Sequence, residues 1–201
     1  MGVSCFAAIG DSFTAGAGPG SPRWADDIAR SLPGCRYVNL AVAGATSEEV
    51  LAGQLERALA AEPDLVSAIC GANDVILTTR PDIEGFEQNF DAILGRIRER
   101  LPEARIVTAT YPGTPDFLLL RPRSRARVTR GLELVNEVVR GLSRRHGAAC
   151  FDFAAHPGRG ERENFADDGF HPSEAGNRRA ARAFARGLRE QLGINLEEAT
   201  A

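Results

Sequence analysis

Ile9-Gly10-Asp11-Ser12-Phe13-Thr14-Ala15-Gly16-Ala17-Gly18-Pro19-Gly20 follows the apolar run Cys5-Phe6-Ala7-Ala8 and precedes every helical pattern in the chain. A strand that opens into a glycine-rich turn with a serine on it makes Ser12 the first candidate nucleophile. The glycines permit positive φ and close backbone approach, so the hydroxyl can stand at the strand's end with free N–H groups beside it. Gly16-x-Gly18-x-Gly20 lacks the G-x-G-x-x-G spacing of a dinucleotide fingerprint, and Asp26 and Asp27 belong to a helix rather than to a ribose-binding strand end. An inert serine on an ordinary strand-to-helix turn is the alternative these residues leave open.

Composition narrows the classes. At 201 residues and 43% hydrophobic content, the chain suffices for one domain with a sizeable core and is short for two. A net charge of −3 argues against a nucleic-acid partner, which usually calls for a basic excess. All 24 basic residues are arginine, which removes lysine Schiff-base and P-loop chemistry. No stretch approaches the ~18 apolar residues of a membrane span. Met1-Gly2-Val3-Ser4-Cys5 runs straight into the first strand without a charged leader, so a cytoplasmic location is expected. The four cysteines form no C-x-x-C pair, and Cys5, Cys70 and Cys150 fall in apolar runs. Buried free thiols and no metal are therefore expected, although Cys5 and Cys35 can meet near the starts of neighbouring strands.

Beyond the turn, strand and helix alternate. Ser21-Pro22 reads as N-cap and N1 of a helix to about residue 32, ended by Pro33-Gly34. Arg36 to Leu40 is a second strand, and Thr46-x-x-Glu49 is a capping box that opens a helix to about residue 61. Leu65 to Cys70 is apolar throughout, as a strand buried on both faces must be. Ile83, Phe86, Phe90, Ile93, Ile97 and Leu101 form one stripe on a helix over about 82–101. A fourth strand spans Arg105 to Thr110, a helix carries Val128, Leu132, Val135, Val139 and Leu142, and a fifth strand spans Ala148 to Phe153. The last helix runs over about 173–192, and the tail 194–201 reads as frayed. Five strands joined by helical crossovers imply a parallel α/β sheet covered on both faces.

Ligands of such sheets sit at the carboxyl ends of the strands. The polar residues collect there: Ser12 after the first strand, Gly44 after the second, Gly71-Ala72-Asn73-Asp74 after the third, and Asp168-Gly169-Phe170-His171-Pro172 after the fifth. A hydroxyl is a weak nucleophile unless a base takes its proton, and that base needs a third group to fix its tautomer. An acidic residue three before a histidine can place a carboxylate on Nδ1 and leave Nε2 free. Ser12, His171 and Asp168 meet that need.

With these residues in place the chain resembles the SGNH hydrolase family, also called GDSL esterases and lipases. Its four blocks are matched by Gly10-Asp11-Ser12, by Gly44 in Asn39-Leu40-Ala41-Val42-Ala43-Gly44, by Gly71-Ala72-Asn73-Asp74 and by Asp168 to Pro172. They occur in the family's order and span residues 6 to about 185. The resemblance implies a flavodoxin-like three-layer α/β/α fold with sheet order 2-1-3-4-5. It also implies a Ser12 nucleophile, a His171 base oriented by Asp168, and an oxyanion hole from the Ser12 and Gly44 N–H groups and the Asn73 amide. Cys70 stands where a smaller residue often precedes the third block, and can crowd the site.

Blander roles remain beside these. Asn73 can be a helix-capping turn residue. His146 ends a helix, where a cation suits the dipole, and His156 lacks a preceding carboxylate. Asp167 is a second possible orienter, Asp11 and Asp74 suit loop hydrogen bonds, and Trp24 suits the core. The expected activity is ester hydrolysis of a small-molecule substrate through an acyl-enzyme, without metal, cofactor or obligate protein partner. An acyltransferase with the same residues and a non-catalytic flavodoxin-like binding module are the alternatives. In the loop after the fourth strand, Phe117 and Leu119 are candidates to line a short acyl pocket. Arg121, Arg123, Arg125 and Arg127 can rim it for an anionic leaving portion. The same apolar run can instead pack the loop.

Overall fold

A computed structural model of the chain describes residues 2–18 and 20–197. The five strands β1 (Cys5–Gly10), β2 (Arg36–Asn39), β3 (Leu65–Ile69), β4 (Arg105–Ala109) and β5 (Ala149–Phe151) form one parallel sheet in the order β2-β1-β3-β4-β5. All residues of β1 and β3 are buried, as their largely apolar sequences require of central strands. Edge strand β2 is only half-buried and carries Arg36 and Tyr37. The register pairs Ala8 with Asn39 and with Ser67, which brings the ends of β1, β2 and β3 level.

The helices are α1 (Ser12–Ala15), α2 (Trp24–Arg30), α3 (Ser47–Glu49), α4 (Leu55–Leu59), α5 (Ala72–Ile76), α6 (Ile83–Arg100), α7 (Pro122–Arg145) and α8 (Glu174–Leu192). On one face α2 packs against α8, and the Trp24 indole stacks on Phe184 with ring centroids 3.8 Å apart. Trp24 is thus a core anchor, as its composition suggests. On the other face α3, α4, α6 and α7 pack together. There α6 buries the expected stripe of Phe86, Phe90, Ile93 and Ile97, and α7 buries Val128, Leu132, Val135, Val139 and Leu142.

Three boundaries differ from the sequence expectation. Helix α2 starts at Trp24 with Arg23 as an N-cap whose side chain makes no capping bond and pairs instead with Asp26 at 2.8 Å, so Ser21-Pro22 lies outside it. The capping box at Thr46 is present, with Thr46 and Glu49 bonding reciprocally. The helix it opens is interrupted by a π-helical turn over Val50–Gln54. That extra residue swings buried Gln54 inward, where its Oε1 accepts from the Gly10 N–H at 2.8 Å and its Nε2 donates to the Gly10 carbonyl at 3.0 Å. A side chain in effect extends the ladder at the end of β1. Gly10 has to be glycine there, since a Cβ would stand 2.0 Å from the Ile69 carbonyl oxygen. Residues 194–197 are also not frayed. Ile194 is buried and the Glu197 N–H donates to the Ser31 carbonyl at 2.8 Å, while residues 198–201 lie outside the described chain. All four cysteines are free thiols. Among the described residues no helix is long and apolar enough to cross a membrane.

Candidate active site

Ser12 is the first residue of α1, directly after β1. Asp11 caps that turn by accepting the Phe13 N–H at 2.9 Å, and the cap fixes the direction in which Ser12 leaves the strand. His171 arrives from the loop that follows β5. Its Nε2 lies 3.1 Å from Ser12 Oγ and its Nδ1 lies 2.5 Å from Asp168 Oδ2. An ionised carboxylate only accepts hydrogen bonds, so Nδ1 carries the proton and Nε2 of the neutral ring faces the serine as an acceptor.

Asp168 is held by its own loop. Its Oδ1 accepts the N–H groups of Phe170 at 2.9 Å and His171 at 3.0 Å. Burial alone would raise its pKa, but these bonds and the His171 ring outweigh it and hold the carboxyl below its ordinary value. Asp168 is therefore ionised wherever the protein is folded near neutrality.

The other expected residues converge on the same point. Gly44 sits at φ +86°, a left-handed backbone conformation that favours glycine, and lines the same cavity as Ser12. The N–H groups of Ser12 and Gly44 have no hydrogen-bond partner among the described residues. Asn73 spends one amide hydrogen on the Ala45 carbonyl at 3.0 Å, which fixes its rotamer and leaves the other hydrogen to donate. Next to it Asp74 accepts from the Ser47 N–H at 3.0 Å and from the Ser47 hydroxyl at 2.5 Å, and Asn89 donates to that hydroxyl at 3.2 Å. Asn73 and Asp74 thus tie the segment after β3 to the segment after β2, which sets the distance between Asn73 and Gly44.

Ser12, Gly44, Asn73 and His171 all line one cavity of about 350 Å³ at the carboxyl edge of the sheet. Its walls are largely apolar: Ile76, Leu77 and Leu132 on the α5–α7 side, Phe153, Phe165 and Phe170 on the α8 side. Phe117 and Leu119 do not line it. Phe117 stands behind the wall, edge-on to Phe165 at 5.3 Å with the Arg162 guanidinium 5.0 Å over its face, and Leu119 is 96% exposed. The loop is anchored instead through buried Leu118. Of the four arginines expected to rim it, none lines the cavity, and two are spent on backbone: Arg125 donates to the Pro115 and Leu118 carbonyls and Arg127 to those of Val75 and Thr78. Cys70 is buried and does not reach the cavity.

The other histidines stand apart. His146 caps the end of α7 with its Nε2 2.7 Å from Asp91. His156 lines the cavity, but its Nδ1 faces the Pro157 carbonyl at 2.6 Å rather than a carboxylate. Asp167 points to solvent and reaches only Arg162. The sequence reading missed Tyr111, which stands two residues beyond the end of β4 in the loop that follows it. Its hydroxyl donates to Asp11 Oδ2 at 2.6 Å and its backbone is clamped by Asn136. Its place after a strand was the signal available. Burial is the main cause that raises the Asp11 pKa to about 6, against the lowering effect of the Tyr111 and Phe13 bonds. No group of three or more His, Cys, Asp or Glu among the described residues is placed to hold a metal ion.

A five-stranded parallel sheet in this order, covered by helices on both faces, with these loops at its carboxyl edge, has the build of an α/β ester hydrolase. The chain belongs to the GDSL-like lipase/acylhydrolase family, whose model matches residues 8–179. No curated protein matches the sequence. Among solved structures it is similar to the lipase/acylhydrolase from Enterococcus faecalis (TM-score 0.76, 23% identity, 98% of this chain and 100% of that one). It is also similar to LAE5, an α/β hydrolase from the metagenome of Lake Arreo (0.71, 22%, 92% and 94%). A third is a catalytic mutant of Axe2, an acetylxylan esterase from Geobacillus stearothermophilus (0.71, 20%, 94% and 95%).

Proposed function

We propose that the protein hydrolyses a carboxylic ester of a small molecule through a covalent acyl-enzyme on Ser12. The observation that carries this reading is the continuous line from Ser12 Oγ through the His171 ring to Asp168. As Oγ attacks the carbonyl carbon, its proton passes to His171 Nε2, and Asp168 stabilises the imidazolium that results. The carbonyl oxygen becomes an oxyanion and receives the Ser12 and Gly44 N–H groups and the second Asn73 amide hydrogen. Collapse breaks the bond to the alcohol, which leaves with the proton from Nε2. Water then enters, His171 takes its proton, and the acid departs as Ser12 is restored. These steps need neither metal nor cofactor.

The cavity volume suits a small ester. The four free thiols support a reducing, cytoplasmic location. Labelling with a fluorophosphonate probe tests the reading, because only an activated serine reacts. Labelling of wild type that is lost in Ser12→Ala supports it, and equal labelling of both overturns it.

A further inference from the structure

The His171 ring sets the direction in which the alcohol must leave. A proton can pass from Nε2 only to an oxygen beside it, so the leaving portion lies on the His171 side of Ser12 and away from Asn73. His171 continues through Pro172 into Ser173, the N-cap of α8, whose side chain accepts the Gly176 N–H at 3.0 Å. On that side the cavity wall includes Gly176, Arg179 and Ala180 of α8, and Gly158 and Arg159 of the loop after β5.

Beyond the wall lies an open groove of about 580 Å³, and it shares His156, Gly158 and Arg179 with the cavity. Its remaining lining includes Arg182 and Arg186 together with one carboxylate, Glu161. Positions 179, 182 and 186 are spaced three and four apart, so the three guanidinium groups share one face of α8. Arg179 is paired with Glu161 and Glu163. Arg182 and Arg186 have no ion pair and no side-chain hydrogen bond among the described residues, and neither has the Arg159 side chain. In a chain of net charge −3, an open shelf whose Arg182 and Arg186 are unpaired among the described residues, next to the paired Arg179, is a local excess of positive charge continuous with the leaving-group side of the site.

We infer that the alcohol portion of the substrate carries an anionic group, a phosphate or carboxylate, that docks on the α8 shelf formed by Arg179, Arg182 and Arg186. This substrate class rests on the ester-hydrolase reading of the site. Guanidinium forks suit such oxyanions because they donate two parallel bonds. The apolar lining near Ile76 and Leu77 is left to the acyl group.

Three acetyl esters with the same acyl group test this: 3-acetoxypropyl phosphate, 3-acetoxypropionate and the neutral 3-methoxypropyl acetate. In wild type at low salt, kcat/KM for at least one anionic ester should exceed that for the neutral one by about tenfold, and added salt should shrink the gap. In Arg182→Gln/Arg186→Gln the ratio should fall toward one, mainly through a higher KM. Both side chains are exposed, so the fold does not depend on them. A phosphate preference without a carboxylate preference assigns the shelf to phosphate, and the reverse assigns it to carboxylate. A wild-type ratio near one, or a ratio unmoved by the double variant, overturns the inference while leaving the hydrolase reading intact. Failure to hydrolyse any of the three, or equal hydrolysis by Ser12→Ala, overturns the hydrolase reading and this inference with it.

Discussion

His171 Nε2 and Ser12 Oγ lie 3.1 Å apart although 159 residues separate them in the chain. Ser12 is fixed by the β1–α1 junction and His171 by a loop that Asp168 holds through two backbone N–H groups. Neither depends on the other for its position, so a substitution at one leaves the other in place.

The proposed roles predict graded losses. Ser12→Ala and His171→Ala should each cost on the order of 10⁶ in kcat, and Asp168→Asn less, on the order of 10⁴ or below. The Asp168 side chain is 48% exposed, so water can partly replace it. Steady-state assay of the ester panel reads these losses. A severe His156→Ala beside a mild His171→Ala would move the base to His156 and overturn the role given to His171.

Asn73→Ala should lower kcat by about 10² to 10³ with little change in KM, since the amide is needed only when the oxygen becomes charged. Gly44→Ala acts by another route. A Cβ at Gly44 meets no atom within 4 Å, so the substitution blocks nothing and instead strains a backbone held at φ +86°. It should cost about 1 kcal/mol of stability and reduce kcat by displacing the N–H. Normal kcat in Asn73→Ala would remove that residue from the hole.

Buried Asp11 makes a pH-dependent contribution whose sign follows from its raised pKa of about 6 against 3.8 for the free side chain. Between these values the folded protein holds a proton that the unfolded chain has released. Asp11 therefore makes stability fall as pH rises through about 4 to 6. Asp11→Asn should remove that slope and gain up to about 3 kcal/mol at pH 7, less whatever the Tyr111 bond loses. Urea unfolding of both proteins from pH 4 to 7 gives the difference. If the difference does not vary with pH, the carboxyl is ionised throughout and the burial argument fails.

Chain-length preference should respond to the wall that the structure shows. Leu77 is 65% exposed and lines the cavity, so Leu77→Ala should shift the preferred acyl length without unfolding the protein. Each CH₂ that loses contact is worth about 0.8 kcal/mol, or roughly fourfold in kcat/KM. Leu119→Ser should leave the profile unmoved. The reverse pattern would place the acyl group on the loop after β4.

The sequence carried the alternation of strands and helices because burial leaves a local record: β1 has no polar side chain and β3 only Ser67, and α6 shows its stripe at three- and four-residue spacing. It also marked Ser12, Gly44, Asn73, Asp168 and His171 as candidates, since loops that follow strands of a parallel sheet meet at one edge. The partition of the loop after β4 had no such record. Phe117, Leu118 and Leu119 are alike in hydrophobicity, yet they lie behind the wall, in the core and in solvent respectively, because the turn that separates them is set by contacts with Phe165 and Arg162 far along the chain. The π-helical turn that delivers Gln54 to Gly10, and the choice of which arginines serve backbone carbonyls and which stay unpaired, are decided by the same kind of distant partner. Periodicity reports which side of an element is buried. Only the folded chain fixes which residue it is buried against.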